Sequence, residues 1–283
     1  MRFGIDIAQQ RQEFDEILGR PRFVEELGFE GAWGFDHFVA MYGDGPGNCF
    51  EGMTTLAALA SATTTIRLGL LVTGVTYRHP SVLAAEALTV DHASHGRLEL
   101  AIGSAWFDAE HRQLGIDFPT TGRRFDRLED ALEIFTRLFT GEVVSYEGRE
   151  ISLDNARLRP IPVQQPHPPI WIGGAGPRRT LPLVARFADV WHTYGSPDRL
   201  RELSVTVDRM AEEAGRRPGR HPPGLVTVAL RTLGRSDRQR HGHGRGRDRL
   251  SRLRLAGRGT RPGRGVRHPG HARAPHRLNK AAD

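Results

Sequence analysis

Short apolar runs alternate with longer segments of helical period along most of this chain, and this alternation limits the fold more than any other feature. Helices between successive strands require parallel pairing with right-handed crossovers. The sequence therefore predicts an α/β protein built on one parallel sheet. The predicted strands are Phe3–Ile7, Gly31–Phe35, Ile66–Thr73, Arg97–Gly103, Pro169–Gly173, Ala188–Thr193 and Leu225–Leu233.

The sheet is predicted to close into a barrel. Nearly every strand is apolar throughout, so both of its faces must be covered. An open dinucleotide-binding sheet usually has a glycine-rich loop after its first strand, whereas here the first strand continues as "AQQRQ". We therefore predict a (β/α)8 TIM barrel, whose active site would lie at the carboxyl ends of the strands.

Local signals predict two helix starts, one helix end and an insertion. Ser81 is the expected N-cap after Pro80, Pro177 the expected first residue of a later helix, and Gly141 the expected end of "RFDRLEDALEIFTRLFTG". Residues 142–168 interrupt the alternation. Within them "VVSYEGREISL" predicts a hairpin around Glu147-Gly148, followed by a proline-rich connector.

The charge divides the chain into two parts. Residues 235–283 hold fourteen Arg and one Lys against three Asp, a net charge of +12, whereas residues 1–234 carry −5. The basic part has no apolar period, and its composition predicts disorder. We therefore assign a barrel domain to residues 1–234 and a basic tail to residues 235–283.

Two explanations of the tail are open. Clustered arginines can bind a nucleic acid or another polyanion, but no aromatic residue follows Tyr194 to stack on bases. GC-rich DNA read out of frame also encodes Arg, Gly, Pro and Ala, and a switch near Leu233–Asp237 is the favoured explanation. The tail lacks the pattern of an eighth strand, so we expect an incomplete, less stable barrel.

The cellular compartment is predicted from three features: the cysteine count, the first residues and the length of the apolar runs. Cys49 is the single cysteine, the first residues show no signal-peptide pattern, and no apolar run reaches the roughly 18 residues that span a bilayer. These features predict a cytoplasmic protein without a membrane partner.

Polar residues follow several predicted strands, where a barrel would have its site. Asp36 and His37 follow the second strand and could form an acid–base pair in which the carboxylate fixes the imidazole tautomer. The alternative is a histidine bonded to backbone. His37, His79 and His192 lack the spacing of known metal motifs, so no metal is predicted.

Two further stretches could contact a flat ligand. In "GSAWFDAEHRQLG" the small Gly103 and Ser104 would let a ring approach the backbone beside Trp106; alternatively, Trp106 packs under the next helix. Asp108, Glu110 and Arg112 are expected on a solvated helix face. The turn "GGAGPRR" offers amide groups and cations to a phosphate, or is an ordinary turn. Its candidate residues are Gly173, Gly174, Ala175, Gly176, Arg178 and Arg179.

Four stretches together resemble the bacterial luciferase-like oxidoreductases, most of all their coenzyme F420-dependent branch. They are "GFEGAWGFDHF", the run from Leu68 to Phe118, "RFDRLEDALEIFTRLFTG" and "PPIWIGGAGPRRTLPLVARFADVWHTYG". The resemblance covers residues 1–234. It implies a barrel that binds F420, or alternatively FMN, at the carboxyl-end rim.

The resemblance also implies roles for individual residues. A cis non-proline peptide that backs the ring would fall at Gly74-Val75, next to Thr73, and His37 would handle the proton beside Asp36. Sugar-phosphate dehydrogenases of this branch have a carboxylate after the fourth strand. Trp106 stands near that position, which argues against sugar-phosphate oxidation.

The expected function is therefore hydride transfer between F420 and a small organic substrate. One alternative is an FMN-dependent monooxygenase of the same superfamily. An alternative of another class is a non-catalytic, truncated relative whose basic tail binds polyanions. A homodimer is the expected assembly.

Overall fold

A computed structural model describes residues 4–216 and 226–228 of the chain. Its strands are β1 (Gly4–Asp6), β2 (Gly31–Gly34), β3 (Arg67–Leu70), β4 (Thr73–Gly74), β5 (Leu98–Gly103), β6 (Val144–Glu147), β7 (Ser152–Ala156), β8 (Ile170–Gly173), β9 (Val190–Thr193) and β10 (Val226–Val228). Its helices are α1 (Phe14–Glu26), α2 (Gly52–Ala62), α3 (Pro80–Ala93), α4 (Asp108–Leu114), α5 (Thr121–Leu138), α6 (Thr180–Phe187) and α7 (Pro197–Glu213).

The parallel sheet predicted from the sequence is confirmed. Its strands follow one another in the order β1-β2-β3-β5-β8-β9-β10, every neighbouring pair is parallel, and β4 pairs separately with β5. The third predicted strand, residues 66–73, is divided into β3 and β4, and Leu71 and Val72 lie between them outside either strand. The proposed eighth-strand gap, the boundary at residue 234 and the tail lie outside the described residues.

The two faces of the sheet have different packing. On the outer face, strand residues such as Leu68, Leu100 and Ile102 pack with the helices into a continuous aliphatic core. On the inner face, Trp33 and Trp171 lie with their ring centroids 4.8 Å apart. Because both faces are covered, the strands have the unbroken apolar character that the sequence shows.

Two predicted helix starts are wrong. His79 is the N-cap of α3, its Nδ1 accepts the Ser81 amide at 3.2 Å, and Pro80 takes the first helical position that suits its missing N–H. Ser81 thus lies in the first turn. The later helix, α6, begins at Thr180 and leaves Pro177 in the preceding loop.

The predicted hairpin forms a separate antiparallel sheet of β6 and β7. Asp130 of α5 anchors its turn: the carboxylate accepts the amides of Glu150 and Ile151 at 2.7 and 3.0 Å and the Tyr146 hydroxyl at 2.8 Å. One buried carboxylate therefore attaches the insertion to the barrel helices. None of the helices within the described ranges has the length and apolar content needed to cross a membrane.

Glu25, near the end of α1, binds the backbone that leads into β3. Its carboxylate accepts the Thr64 and Ile66 amides at 3.0 and 2.8 Å and also contacts the Thr65 amide and hydroxyl. Burial opposes ionisation, but these hydrogen bonds outweigh it and lower the pKa of Glu25 to about 2. The ionised form is therefore favoured in the folded state.

Glu25→Gln is expected to lower the free energy of unfolding by about 2 kcal/mol at pH 7, after allowance for solvent screening. Because the folded pKa is depressed, the stabilisation is present above the unfolded pKa near 4.5 and is lost as the pH falls towards 2. Urea unfolding of both proteins at pH 7 and pH 3 measures this. Glu26→Gln, at the exposed neighbouring position, should change neither value; a pH-independent effect of Glu25→Gln would contradict the account.

Candidate active site

The carboxyl ends of β5 and β8 meet at Val72, the residue that precedes β4. Gly74 pairs with Gly103 in β5, and Gly173 of β8 pairs with His192 of β9. A Cβ at Gly103 or Gly173 would approach the Val72 methyl groups to 2.9 or 3.1 Å. These two glycines therefore leave room for the half-buried Val72 side chain. The rim around Val72 is called the hollow below, with Val72 as its floor.

The predicted position of the cis peptide is wrong. The cis bond joins Leu71 and Val72 rather than Gly74 and Val75. Thr73 pairs with Ile102 on the outer face, its hydroxyl donates to the Ala101 carbonyl, and Val75 is buried in the outer core. The side chains of Thr73 and Val75 thus face away from the hollow, because alternate residues of a strand point to opposite faces.

A buried imidazole–carboxylate pair stands beside the hollow. His37 Nδ1 lies 2.9 Å from Glu110 Oε2, and Glu110 is fully buried. The other oxygen of Glu110 accepts the Phe38 and Val39 amides at 2.7 and 3.0 Å, and the Tyr77 hydroxyl donates to Oε2. Each oxygen of the carboxylate therefore has two partners.

The hydrogen bonds determine the charge and the tautomer of this pair. Burial opposes ionisation of Glu110, but the bonds from His37, Tyr77 and the two amides outweigh it and lower the pKa of Glu110. An ionised carboxylate only accepts hydrogen bonds, so in neutral His37 the proton lies on Nδ1. The lone pair of Nε2 is then left to take a proton from a bound molecule.

Glu110 is the residue that the sequence prediction missed. It was expected on a solvated face with Asp108 and Arg112, but only those two side chains reach solvent, at 45% and 69% exposure, and they pair with each other. Helix α4 turns Glu110 and the fully buried His111 inward. A buried carboxylate thus follows the fourth predicted strand, four residues beyond Trp106, where the sequence analysis expected none.

Asp36 does not have the predicted partner. Its carboxylate binds both terminal nitrogens of Arg78 at 2.8 and 2.9 Å and accepts the Gly74 amide at 2.9 Å. Arg78 also contacts Glu51 and lies 3.2 Å from Glu86. Asp36 therefore joins the end of β2 to the β4 turn, while Glu110 holds His37.

Each polar residue of "TYRHP" has a structural task around the site. Thr76 Oγ1 lies 2.7 Å from His111 Nε2, Tyr77 binds Glu110, Arg78 binds Asp36, and His79 caps α3. The Tyr77 and His111 rings stack with their centroids 4.6 Å apart. This turn therefore positions the dyad of His37 and Glu110.

Aromatic side chains surround His37. The ring centroids of Trp106 and Phe107 lie 5.9 and 5.7 Å from the imidazole centroid. Trp106 is 67% exposed, so the alternative that it packs beneath the next helix is wrong. Its indole presents an apolar wall beside the dyad.

Residues 1–240 match the family described as luciferase-like monooxygenase. The chain belongs to this family. One relative, the F420-dependent glucose-6-phosphate dehydrogenase of Microbacterium testaceum, is 31% identical over 76% of this chain and 64% of its own length. Another, the FMNH(2)-dependent dimethylsulfone monooxygenase of Pseudomonas putida, is 28% identical over 73% of this chain and 56% of its own length. The chain thus spans less than two thirds of either relative.

A solved structure shares the fold of this luciferase-like chain. It is an F420-dependent secondary alcohol dehydrogenase in complex with an F420–acetone adduct, with a TM-score of 0.69 and 23% identity over 77% of this chain and 66% of that structure. The likeness confirms the luciferase-like TIM-barrel architecture.

The glycine turn of this family member differs in part from the phosphate loop expected from sequence. The Gly174 amide already donates to the His192 carbonyl at 2.9 Å, and Arg179 binds Asp126 of α5 at 2.6 Å. Ala175 and Gly176 continue the loop, and Thr180 bonds back to the Gly176 carbonyl at 2.9 Å. Of the predicted cations, exposed Arg178 has no ion pair within residues 4–216.

A cation that the sequence prediction missed lies at Ser104. Arg124 Nε donates to the Ser104 carbonyl at 3.1 Å, and its guanidinium lies over the Phe118 ring, 4.0 Å from the centroid. Arg124 belongs to α5, distant in sequence from the strand end it contacts, so no local pattern marks it. It adds positive charge to the β5 side of this luciferase-like site.

Proposed function

We propose that the chain binds coenzyme F420 at the rim and transfers a hydride between it and a hydroxyl or carbonyl group of a small organic substrate. The observation that carries this proposal is the buried dyad of His37 and Glu110 beside the Val72 floor. Such a dyad can handle a proton, and a single aliphatic side chain between two glycines lets a planar ring approach closely.

The residues present fit a deazaflavin. Gly103 and Gly173 add no side chain above Val72, and Trp106 exposes its indole beside the dyad. Arg124 and Arg178 would hold the anionic tail of the cofactor. When bound, F420 exchanges a hydride at a ring carbon and reacts poorly with oxygen.

His37 would move the proton that accompanies the hydride. Glu110 keeps Nδ1 protonated, so Nε2 can accept the hydroxyl proton of an alcohol as it is oxidised. The carboxylate then stabilises the imidazolium that forms. In the reverse direction Nε2 would donate that proton to the carbonyl oxygen, beside the rings of Trp106 and Phe107.

Phosphorylated sugars are included among the proposed substrates. The argument against them was the missing carboxylate after the fourth strand, and Glu110 supplies a carboxylate there. The relative from Microbacterium testaceum acts on glucose 6-phosphate by its name. Secondary alcohols and sugar phosphates are thus the two substrate classes to test first.

A second candidate function is FMN-dependent oxygenation, favoured by the 28% identity to the Pseudomonas putida monooxygenase. The same floor and wall would accept the flavin ring, since both cofactors are flat tricyclic systems. His37 would then handle a proton during oxygen chemistry that needs a separate reductase. A homodimer and a cytoplasmic location remain predictions.

The proposal is tested by mixing the full chain with oxidised F420 in three parallel reactions. One contains a sugar phosphate, one a secondary alcohol, and the third, the control, no substrate. Loss of the F420 visible absorbance with one hydroxyl compound is expected. Oxygen consumption with reduced FMN, and no F420 reduction, would favour oxygenation. If neither F420 reduction nor oxygen consumption is observed, the result would favour the non-catalytic alternative.

A further inference from the structure

His192 carries a buried imidazole on the inner face of β9. It takes no part in the dyad of His37 and Glu110. It pairs in register with Gly173, and paired residues of parallel strands point to the same face. A Cβ at Gly173 would meet Val72, so this face is the one that bounds the hollow. His192 therefore lies at the rim, on the β9 side of the floor.

The backbone around His192 is fixed on both sides. The Gly174 amide donates to the His192 carbonyl at 2.9 Å, and Trp191 Nε1 donates to the Gly174 carbonyl at 2.6 Å. The Tyr194 ring meets the imidazole edge to face, with the centroids 5.0 Å apart. The backbone at His192 is thus fixed, and one aromatic ring packs against the imidazole.

One nitrogen of this imidazole has no partner among the residues that the structure describes. His192 is only 4% exposed, and its Nδ1 is buried without a hydrogen bond there. Burial also lowers the pKa of His192 to about 4, so the ring is neutral near pH 7. A neutral imidazole can donate or accept through Nδ1, and a buried nitrogen left unpaired is costly.

His37 and His192 flank the floor from opposite sides. The strands between them follow the order β2-β3-β5-β8-β9, with Val72, Gly103 and Gly173 in the middle of the arc. A planar ring on the floor would therefore have the proton-handling dyad on one side and a neutral hydrogen-bonding group on the other.

We propose that His192 Nδ1 hydrogen-bonds the pyrimidine edge of the ring bound in the hollow and so sets the orientation of the ring relative to His37. The inference rests on the proposed function. The pyrimidine edge alternates carbonyl and N–H groups, which matches either role of a neutral imidazole. The opposite edge differs between the cofactors: it carries a hydroxyl in F420 and methyl groups in FMN.

The test titrates wild type, His192→Leu and His192→Asn with F420 and, separately, with FMN. His192→Leu should weaken both cofactors by the same factor, about tenfold, because the two rings share the pyrimidine edge. His192→Asn, whose amide can replace Nδ1, should stay within about threefold of wild type. His95→Asn, an exposed control, should bind like wild type.

The outcomes separate this inference from the proposed function. Unchanged affinity of His192→Leu for a cofactor that wild type binds overturns only the role of His192. A loss with F420 alone does the same if wild type binds both cofactors. If wild type binds neither F420 nor FMN, the proposed function and this inference are both overturned. Thermal melts show whether each variant folds.

A measurement on wild type keeps the proposal falsifiable if His192→Leu does not fold. With histidine labelled with nitrogen-15, the His192 Nδ1 resonance should shift when F420 or FMN is added. An unchanged Nδ1 resonance at saturating cofactor would overturn the proposal.

Discussion

His37→Ala is expected to lower the rate of hydride transfer by about 10²- to 10⁴-fold, the usual contribution of a positioned acid or base. The Nε2 lone pair would otherwise accept the hydroxyl proton, and among the described hydrogen bonds of the imidazole the titratable partner is Glu110. The rate is measured as F420 reduction with the hydroxyl substrate that the panel identifies.

Glu110→Gln is the companion variant. It should also lower the rate of hydride transfer strongly, but by a smaller factor than His37→Ala. The amide keeps the shape of the carboxylate but removes the charge that stabilises an imidazolium at His37. Asp108→Asn on the same helix is the matched control, since the Asp108 side chain is 45% exposed and pairs with Arg112 among the described ion pairs of α4. A His37→Ala rate within twofold of wild type would contradict the assignment of the dyad.

Arg97→Met is expected to lower the free energy of unfolding by about 3–5 kcal/mol. Arg97 is buried and donates to the carbonyls of Ser94, Ala60 and Ile66 at 2.6, 2.8 and 2.7 Å and to both oxygens of Thr63. Methionine fills similar volume but leaves these acceptors unpaired in the interior. The guanidinium thus joins the ends of α2 and α3 to the start of β3.

Urea unfolding at pH 7 measures the effect of Arg97→Met. Arg97→Lys should fall between wild type and the methionine variant, because one ammonium replaces fewer of the bonds. Arg20→Met, at an exposed position of α1, should change the free energy of unfolding by less than about 0.5 kcal/mol. A loss below about 1 kcal/mol in Arg97→Met would contradict the structural role.

The fold was predictable because its signals are local. Each strand is a short apolar run and each long helix has a recognisable stripe, so the order of elements fixes a parallel sheet. The strand ends then identify the rim, and His37, Trp106 and the glycine turn were predicted as site residues on that basis. The division of the third predicted strand into β3 and β4 has no comparable local signal in the sequence.

The partner of His37 was not predictable from spacing alone. Helix α4 has seven residues, too few for a hydrophobic stripe to show which face turns inward. Its rotation is instead set by the bonds from Phe38, Val39 and Tyr77 to Glu110, which come from distant segments. Asp36 adjoins His37 in sequence, but its side chain binds Arg78 and Gly74 instead.

The C-terminal predictions remain open. The frame switch near residue 234, the disordered tail and the missing eighth strand concern residues outside the described ranges. They matter for function because an incomplete barrel would bind a cofactor weakly or not at all. Cofactor binding by the full chain is therefore the quantity that separates an active enzyme from a truncated relative.

The most direct measurement is a fluorescence titration of F420 with wild type, Trp106→Ala and Phe23→Ala. Trp106 and Phe23 are both exposed aromatic residues, at 67% and 60%, but only Trp106 lies beside His37. The account predicts saturable one-to-one binding by wild type and Phe23→Ala, weakened about tenfold in Trp106→Ala. No saturable binding by wild type, or the same affinity in all three proteins, would contradict a cofactor site at this rim.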